Sequence, residues 1–171
     1  MEGDKTMKLL IIILILAGQS LAQDKPIENG WEGIKVFRTT RAEVERILGV
    51  PSENITSVET SYRTKEGIIH FAYSHAPCSD EGRGRYTVHE NTVLGYMIFL
   101  KDGIDLSKFR WDRKLYEKYK DTELLWLTHY RNPKDGIRFT TEFRGDVEKI
   151  FTIYFEKTVE CSKKLTCEKY K

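Results

Sequence analysis

Between Thr39 and Pro51 the apolar positions recur with a helical period, Val44, Ile47 and Leu48 falling at i, i+3 and i+4. Thr40 can cap the first turn while Glu43, three residues on, reaches back to the cap's own amide. Gly49 suits the left-handed position after the last turn, and Pro51 forbids continuation. These signals predict a short helix with one apolar stripe, which needs a sheet to lie on.

Beyond it the period drops to two. Ser57–Thr64 and Gly67–Ser74 read as strands around the turn Lys65-Glu66-Gly67, with Ile69, Phe71 and Tyr73 on one face and His70 on the other. A loop follows from His75 to His89. Val93–Leu100 is an apolar run of strand length, expected to be central and covered on both faces. Asp105-Leu106-Ser107 offers a helix start, and Trp111, Leu115 and Tyr119 at i, i+4 and i+8 extend that helix to Tyr119. Leu124–Tyr130 reads as a strand. The turn Asn132-Pro133-Lys134-Asp135-Gly136 leads into the alternating strand Ile137–Phe143, and Arg144-Gly145-Asp146 turns the chain into Val147–Phe155. Each half therefore reads helix, strand, strand, strand. The expected architecture is α+β, an antiparallel sheet of about six strands with one or two short helices on one face, compatible with two tandem repeats.

The start of the chain carries an address. Lys5 and Lys8 precede the apolar run Leu9–Leu16, and Ser20-Leu21-Ala22 places small residues where a signal peptidase reads them, so cleavage is expected after Ala22. Met7 offers an alternative start directly before Lys8. A membrane-spanning helix needs about 20 apolar residues, and this run ends well short of that at Gly18-Gln19-Ser20. Removing the first 22 of 171 residues leaves 149, enough for one domain with a real core. Residues 23–30 read as a flexible lead-in, and 31–171 as a single globular domain.

Aromatic residues make up 12% of the chain, which argues against disorder. The leader's two lysines and two acids cancel, so the net charge stays at +2, too little for an electrostatic footprint on nucleic acid. Lys163, Lys164, Lys169 and Lys171 read as a solvated tail. Export into an oxidising compartment implies that two of Cys78, Cys161 and Cys167 pair. Joining Cys78 to Cys167 closes a loop of about 90 residues, worth about 4 kcal/mol in the chain-entropy model. That pairing is favoured, and Cys78–Cys161 stands second.

Several motifs together resemble a known family. They are Trp31-Glu32-Gly33-Ile34, the stretch Thr40–Pro51, Tyr73-Ser74 followed by Pro77-Cys78, Asp105–Phe109, Asn132 with Gly136-Ile137, and the ending Lys164-Leu165-Thr166-Cys167. The pattern resembles small uncharacterised exported proteins from soil bacteria. The resemblance implies a late cysteine at Cys167, in keeping with the favoured pairing, while Cys161 departs from the pattern. More distantly, Thr-x-x-x-Val-x-x-x-Leu-Gly-x-Pro before an antiparallel sheet is similar to the outer-membrane assembly lipoprotein and β-lactamase-inhibitor type of fold. Those proteins bind other proteins through the sheet or its loops. The lipoproteins' anchoring cysteine is replaced here by Gln23.

Candidate chemistry is sparse. Cys78 lies between His75 and His89, which raises a cysteine nucleophile or a metal site, but the histidines lack tight ligand spacing to any other Cys or His. No Gly-x-Ser-x-Gly elbow occurs, and Gly82-Arg83-Gly84-Arg85 lacks the context of a phosphate loop. Asp80-Glu81 and Glu43 with Glu45 read as solvated acids, His70 and His129 as packed or exposed strand residues, and Asn54-Ile55-Thr56 as a chance sequon. The most function-like feature is the loop 75–89, where Arg83, Arg85 and Tyr86 form a candidate recognition element pinned at Cys78. The expected function is an exported, non-enzymatic domain binding an envelope or extracellular protein, with no cofactor or metal and no membrane span after cleavage. The rivals are a small hydrolase using His75 or His89, and an apolar-ligand binder built on Trp111, Tyr119 and Trp126.

Overall fold

The computed structural model describes residues 30–80 and 85–171. The expected signal peptide, 1–22, and most of the expected lead-in lie outside the described residues. Thr40 caps helix α1 (Arg41–Leu48) through the expected capping box, its hydroxyl accepting from the Glu43 amide while the Glu43 carboxylate accepts from the Thr40 amide. Val44 is fully buried from this helix, and Arg41 ties it to the sheet margin through Asn54.

The strands are β1 (Glu53–Thr56), β2 (Glu59–Arg63), β3 (Gly67–Tyr73), β4 (Val93–Asp105), β5 (Glu117–Lys120), β6 (Thr128–Asn132), β7 (Ile137–Arg144) and β8 (Val147–Phe155). Helix α2 (Val159–Leu165) follows. All eight strands join one antiparallel sheet in the order β1-β2-β3-β4-β8-β7-β6-β5. The six-strand α+β expectation with tandem repeats is thereby corrected. The fold is mostly β, with two short helices at its margins.

The largest departure concerns residues 105–119. Instead of a helix, β4 runs on to Asp105, and Asp112 caps a single 3-10 turn (Arg113–Leu115) before the edge strand β5. Trp111 turns inward against Tyr116, Tyr130 and Phe139, while β5 takes the open hydrogen-bonding edge of β6. Those tertiary contacts outweigh a helical spacing that only three residues supported. Leu124–Leu127 similarly form a turn, because the Asp121 carboxylate accepts from the amides of Glu123 and Leu124. The exposed edge strand β1 has no apolar pattern to announce it.

Two rows of side chains cross the sheet on its covered face. Tyr62, Ile69, Ile98, Ile153, Phe139 and Tyr130 are successive cross-strand partners, as are Thr60, Phe71, Tyr96, Phe155, Ile137 and Asn132. Stacked rings Phe71, Tyr96 and Phe155 form the centre of the second row. Ile34 and Val44 close the core from the N-terminal side, and Leu106, Phe109 and Trp111 close it from the other. The opposite face carries His70, Met97, Tyr154 and Arg138 in register. Strand β4 is therefore central but not covered on both faces, since Phe99 stays 39% exposed.

Candidate functional site

The end of the sheet where β3 and β8 finish gathers the segments singled out for recognition. Cys78 is joined to Cys167, with their Cα atoms 5.7 Å apart, and Cys161 is left free and exposed. The favoured pairing is the one formed. Such a bond is compatible with an oxidising, exported compartment. Hydrogen bonds extend the staple: the Cys167 amide donates to the Arg85 carbonyl, the Thr87 amide to the Leu165 carbonyl, and the Tyr170 hydroxyl to the Ser79 carbonyl. Asp80 accepts from Lys169 and Tyr170, and the Lys169 contact above all holds its carboxyl below the usual range. The described parts of the loop, 75–80 and 85–89, thus form one braced unit with the tail. The lysine-rich tail is not merely solvated, since Lys169 is spent in this brace.

Within that unit the predicted recognition residues take different roles. Arg83 lies outside the described residues. Arg85 is exposed, with its guanidinium 5.7 Å from the ring centre of Tyr170. Tyr86 pairs with Thr166 as an isolated bridge, packs on Phe37 at 5.0 Å and takes the Lys157 ammonium over its ring at 4.9 Å. Phe37 and Cys78 both hold left-handed backbone, at φ of 62° and 53°. For a bulky residue such as Phe37 that conformation costs about 1–3 kcal/mol and persists only where its surroundings enforce it. Here the Phe37 amide donates to the Val93 carbonyl, and the Cys78 amide to the Tyr86 carbonyl.

Beside Tyr86 the surface opens into a groove of about 320 Å³. One wall is the loop Lys35–Arg38, the second the turn Lys134–Gly136, and the third the start of α2 with Thr158, Glu160 and Cys161. A neighbouring hollow of about 440 Å³ continues it past Pro133 and Lys163, sharing Lys134, Thr158 and Glu160. Buried Asn132 shapes the second wall: its side-chain oxygen accepts from the amides of Lys134 and Asp135, and its amide nitrogen donates to the Asp135 carboxylate. Glu156 is engaged by Arg138 at 2.8 Å and lies 4.0 Å from Arg131. Glu156 is thus neutralised and Asp135 hydrogen-bonded, while Glu160 on the third wall is exposed. Lys35, Arg38 and Lys134 are exposed, and among the described residues no carboxylate pairs with them. Sequence reasoning missed this cluster because positions 35, 38, 134 and 157 become neighbours only through the sheet.

The other candidates resolve as follows. The Cys78 thiol between His75 and His89 is spent in the disulfide, so it supplies no nucleophile. Among the described residues no group of three His, Cys, Asp or Glu side chains could hold a metal ion. Glu43 serves the helix cap, Glu45 pairs with Arg41, and Glu81 lies outside the described residues. Trp111, Tyr119 and Trp126 do not meet: Trp111 is packed on Phe139, Tyr119 stacks on His129 on the opposite face, and Trp126 is 62% exposed on a turn. His129 lies between Asp121 and Thr140, hydrogen-bonded to both at 3.0 and 2.9 Å. That array resembles a hydroxyl–imidazole–carboxylate relay. Thr140 is buried in mid-strand, paired with His129 on one side and Thr152 on the other, so the array works as a clamp on the hairpin.

No helix among the described residues is long and apolar enough to cross a membrane. Compared with protein-family models, curated proteins and solved structures, the chain matches none of them.

Proposed function

We propose that the protein is an exported, non-enzymatic binding domain whose partner is another protein of the envelope or the extracellular space. The observation that carries this reading is the braced unit of loop and C-terminal tail beside an open groove. Cys78–Cys167 and the bonds of Arg85, Thr87 and Tyr170 order these segments before any partner arrives. Pre-ordering lowers the entropic cost of association, by about 0.5–1.5 kcal/mol for each side chain that need not be immobilised later. Strained backbone at Phe37 and Cys78, both packed around Tyr86, points to the same end of the sheet. The resemblance to exported proteins, and to sheet folds that bind proteins through their loops, agrees with it.

The test is site-specific photocross-linking in cells that express the protein natively. A cross-linking side chain at Glu160, beside the groove, should trap a discrete protein adduct. The same group at Glu66, in the turn at the opposite end of the sheet, should not. No adduct from either position, or equal adducts from both, overturns the assignment.

A further inference from the structure

We propose that the groove beside Tyr86 is a receptor for an acidic peptide segment, its aspartate or glutamate side chains paired with Lys35, Arg38 and Lys134. The inference rests on the protein-binding reading and names the chemistry of the partner.

Three observations carry it. The first is an excess of positive charge. The chain's net charge is only +2, yet exposed cations from segments far apart in sequence meet around one concavity. Three acids line it as well: Glu156 is neutralised by Arg138, Asp135 keeps its charge but is held by the Asn132 amide, and Glu160 is exposed, so Lys35, Arg38, Lys134 and Lys157 still outnumber the acids left unneutralised. What remains is positive potential over a concave surface, which attracts and orients an anionic segment. The second is fixed geometry. Lys134 stands on a turn organised by buried Asn132, while Lys35 and Arg38 stand on a loop closed by hydrogen bonds from the Arg38 and Thr39 amides to the Lys35 carbonyl. The backbone under all three cations is thus ordered before binding. The third is shape. The groove and its neighbouring hollow form a continuous open trough past Lys134 and Thr158 rather than an enclosed chamber. A trough suits an extended chain better than a compact small anion.

The experiment measures fluorescence anisotropy of labelled hexaglutamate with the mature protein, at about 20 mM and about 150 mM salt. Hexaasparagine is the neutral control, and inorganic phosphate at constant ionic strength is the competitor. Two charge-reversed proteins are compared: Lys35→Glu/Arg38→Glu/Lys134→Glu in the groove, and Lys101→Glu/Lys108→Glu/Lys114→Glu away from it. Both alter net charge equally, so general electrostatics cancels. The groove variant should lose at least about tenfold in affinity while the control loses less than about twofold. Should the reversed groove protein not fold, Lys35→Gln/Arg38→Gln/Lys134→Gln should show a smaller loss in the same direction. Equal loss in both reversed proteins, equal binding of hexaasparagine, or full displacement by phosphate overturns the proposal. A cross-linked partner that persists on the groove variant overturns the acidic-segment inference alone and leaves the protein-binding reading standing. Absence of any partner, with selective hexaglutamate binding intact, does the reverse.

Discussion

His129 Nε2 lies 3.0 Å from Asp121 Oδ2, and this contact joins the β5–β6 turn to the interior of the sheet. The other Asp121 oxygen accepts from the amides of Glu123 and Leu124, so one carboxylate both builds the turn and anchors it. The far nitrogen of the imidazole meets Thr140 on β7, and Tyr119 on β5 stacks on the ring. The edge strand β5 is thereby tied across two neighbours by side chains as well as by its backbone ladder.

This clamp makes stability depend on acid in a defined window. The Leu124 amide and then His129 hold the Asp121 carboxyl at about 2, below its ordinary 3.8. A depressed carboxyl contributes its full stability above the unfolded value and loses it as the pH falls through the folded one. Wild type should therefore be more stable than Asp121→Asn by its full margin above about pH 5, with the margin shrinking through 3.8 towards pH 2. Urea unfolding of both proteins between pH 6 and pH 2 checks this. A margin independent of pH would remove the ionised carboxylate from the account.

The staple yields a second expectation. Cys78 and Cys167 are separated by 89 positions, so removing the bond frees a long loop in the unfolded chain. Cys78→Ser should cost about 4 kcal/mol in the chain-entropy view, whereas the exposed Cys161→Ser should change stability by less than about 0.5 kcal/mol. Urea midpoints, with and without reductant, separate the two. Reductant should affect wild type and Cys161→Ser alike and leave Cys78→Ser unmoved.

The legible parts of the chain were those whose local pattern agreed with their tertiary role. The α1 cap needs only Thr40 and Glu43, and the alternation in β3, β7 and β8 matches the burial of Ile69, Phe71, Phe139 and Ile153. Residues 105–127 were misread because distant groups decide their form: Trp111 follows Phe139, β5 follows the edge of β6, and the turn at Leu124 follows the carboxylate of Asp121. The disulfide partner of Cys78 was legible from loop length and motif. The groove was not, for its cations share no sequence neighbourhood and only the Asn132–Gly136 turn among its walls carries a local signal.

Packing in the half of the sheet that departed from expectation can be tested directly. Phe139 is fully buried and meets the rings of Phe109, Trp111, Tyr116 and Tyr130 at 5.0–5.4 Å. Phe139→Ala should cost about 3–5 kcal/mol, because the rings on several segments cannot all close on the space left. Phe143 points from the same strand but is 59% exposed, so Phe143→Ala should stay within about 0.5 kcal/mol. Chemical denaturation of both variants is the measurement. A helix over 105–119 would leave Trp111 without its place on Phe139 and predicts a much smaller loss for Phe139→Ala.

The last expectation separates two glycines that share a backbone conformation. Gly136 and Gly145 have φ of 68° and 63°, so an alanine at either meets the left-handed cost of about 1–2 kcal/mol. Their surroundings differ. A Cβ on Gly136 would stand 2.2 Å from the Glu156 carbonyl oxygen, whereas one on Gly145 meets nothing within 4 Å. That carbonyl belongs to backbone at the groove wall, where the Glu156 amide in turn donates to the Gly136 carbonyl, so relief requires opening this hydrogen bond. Gly136→Ala should thus cost at least about 1 kcal/mol more than Gly145→Ala, the worth of a broken and desolvated backbone bond. It should also weaken hexaglutamate binding through displacement of Lys134, while Gly145→Ala leaves binding unchanged. Equal destabilisation by the two alanines would mean that backbone conformation alone sets the cost, and that the close approach at Gly136 carries no strain to the groove.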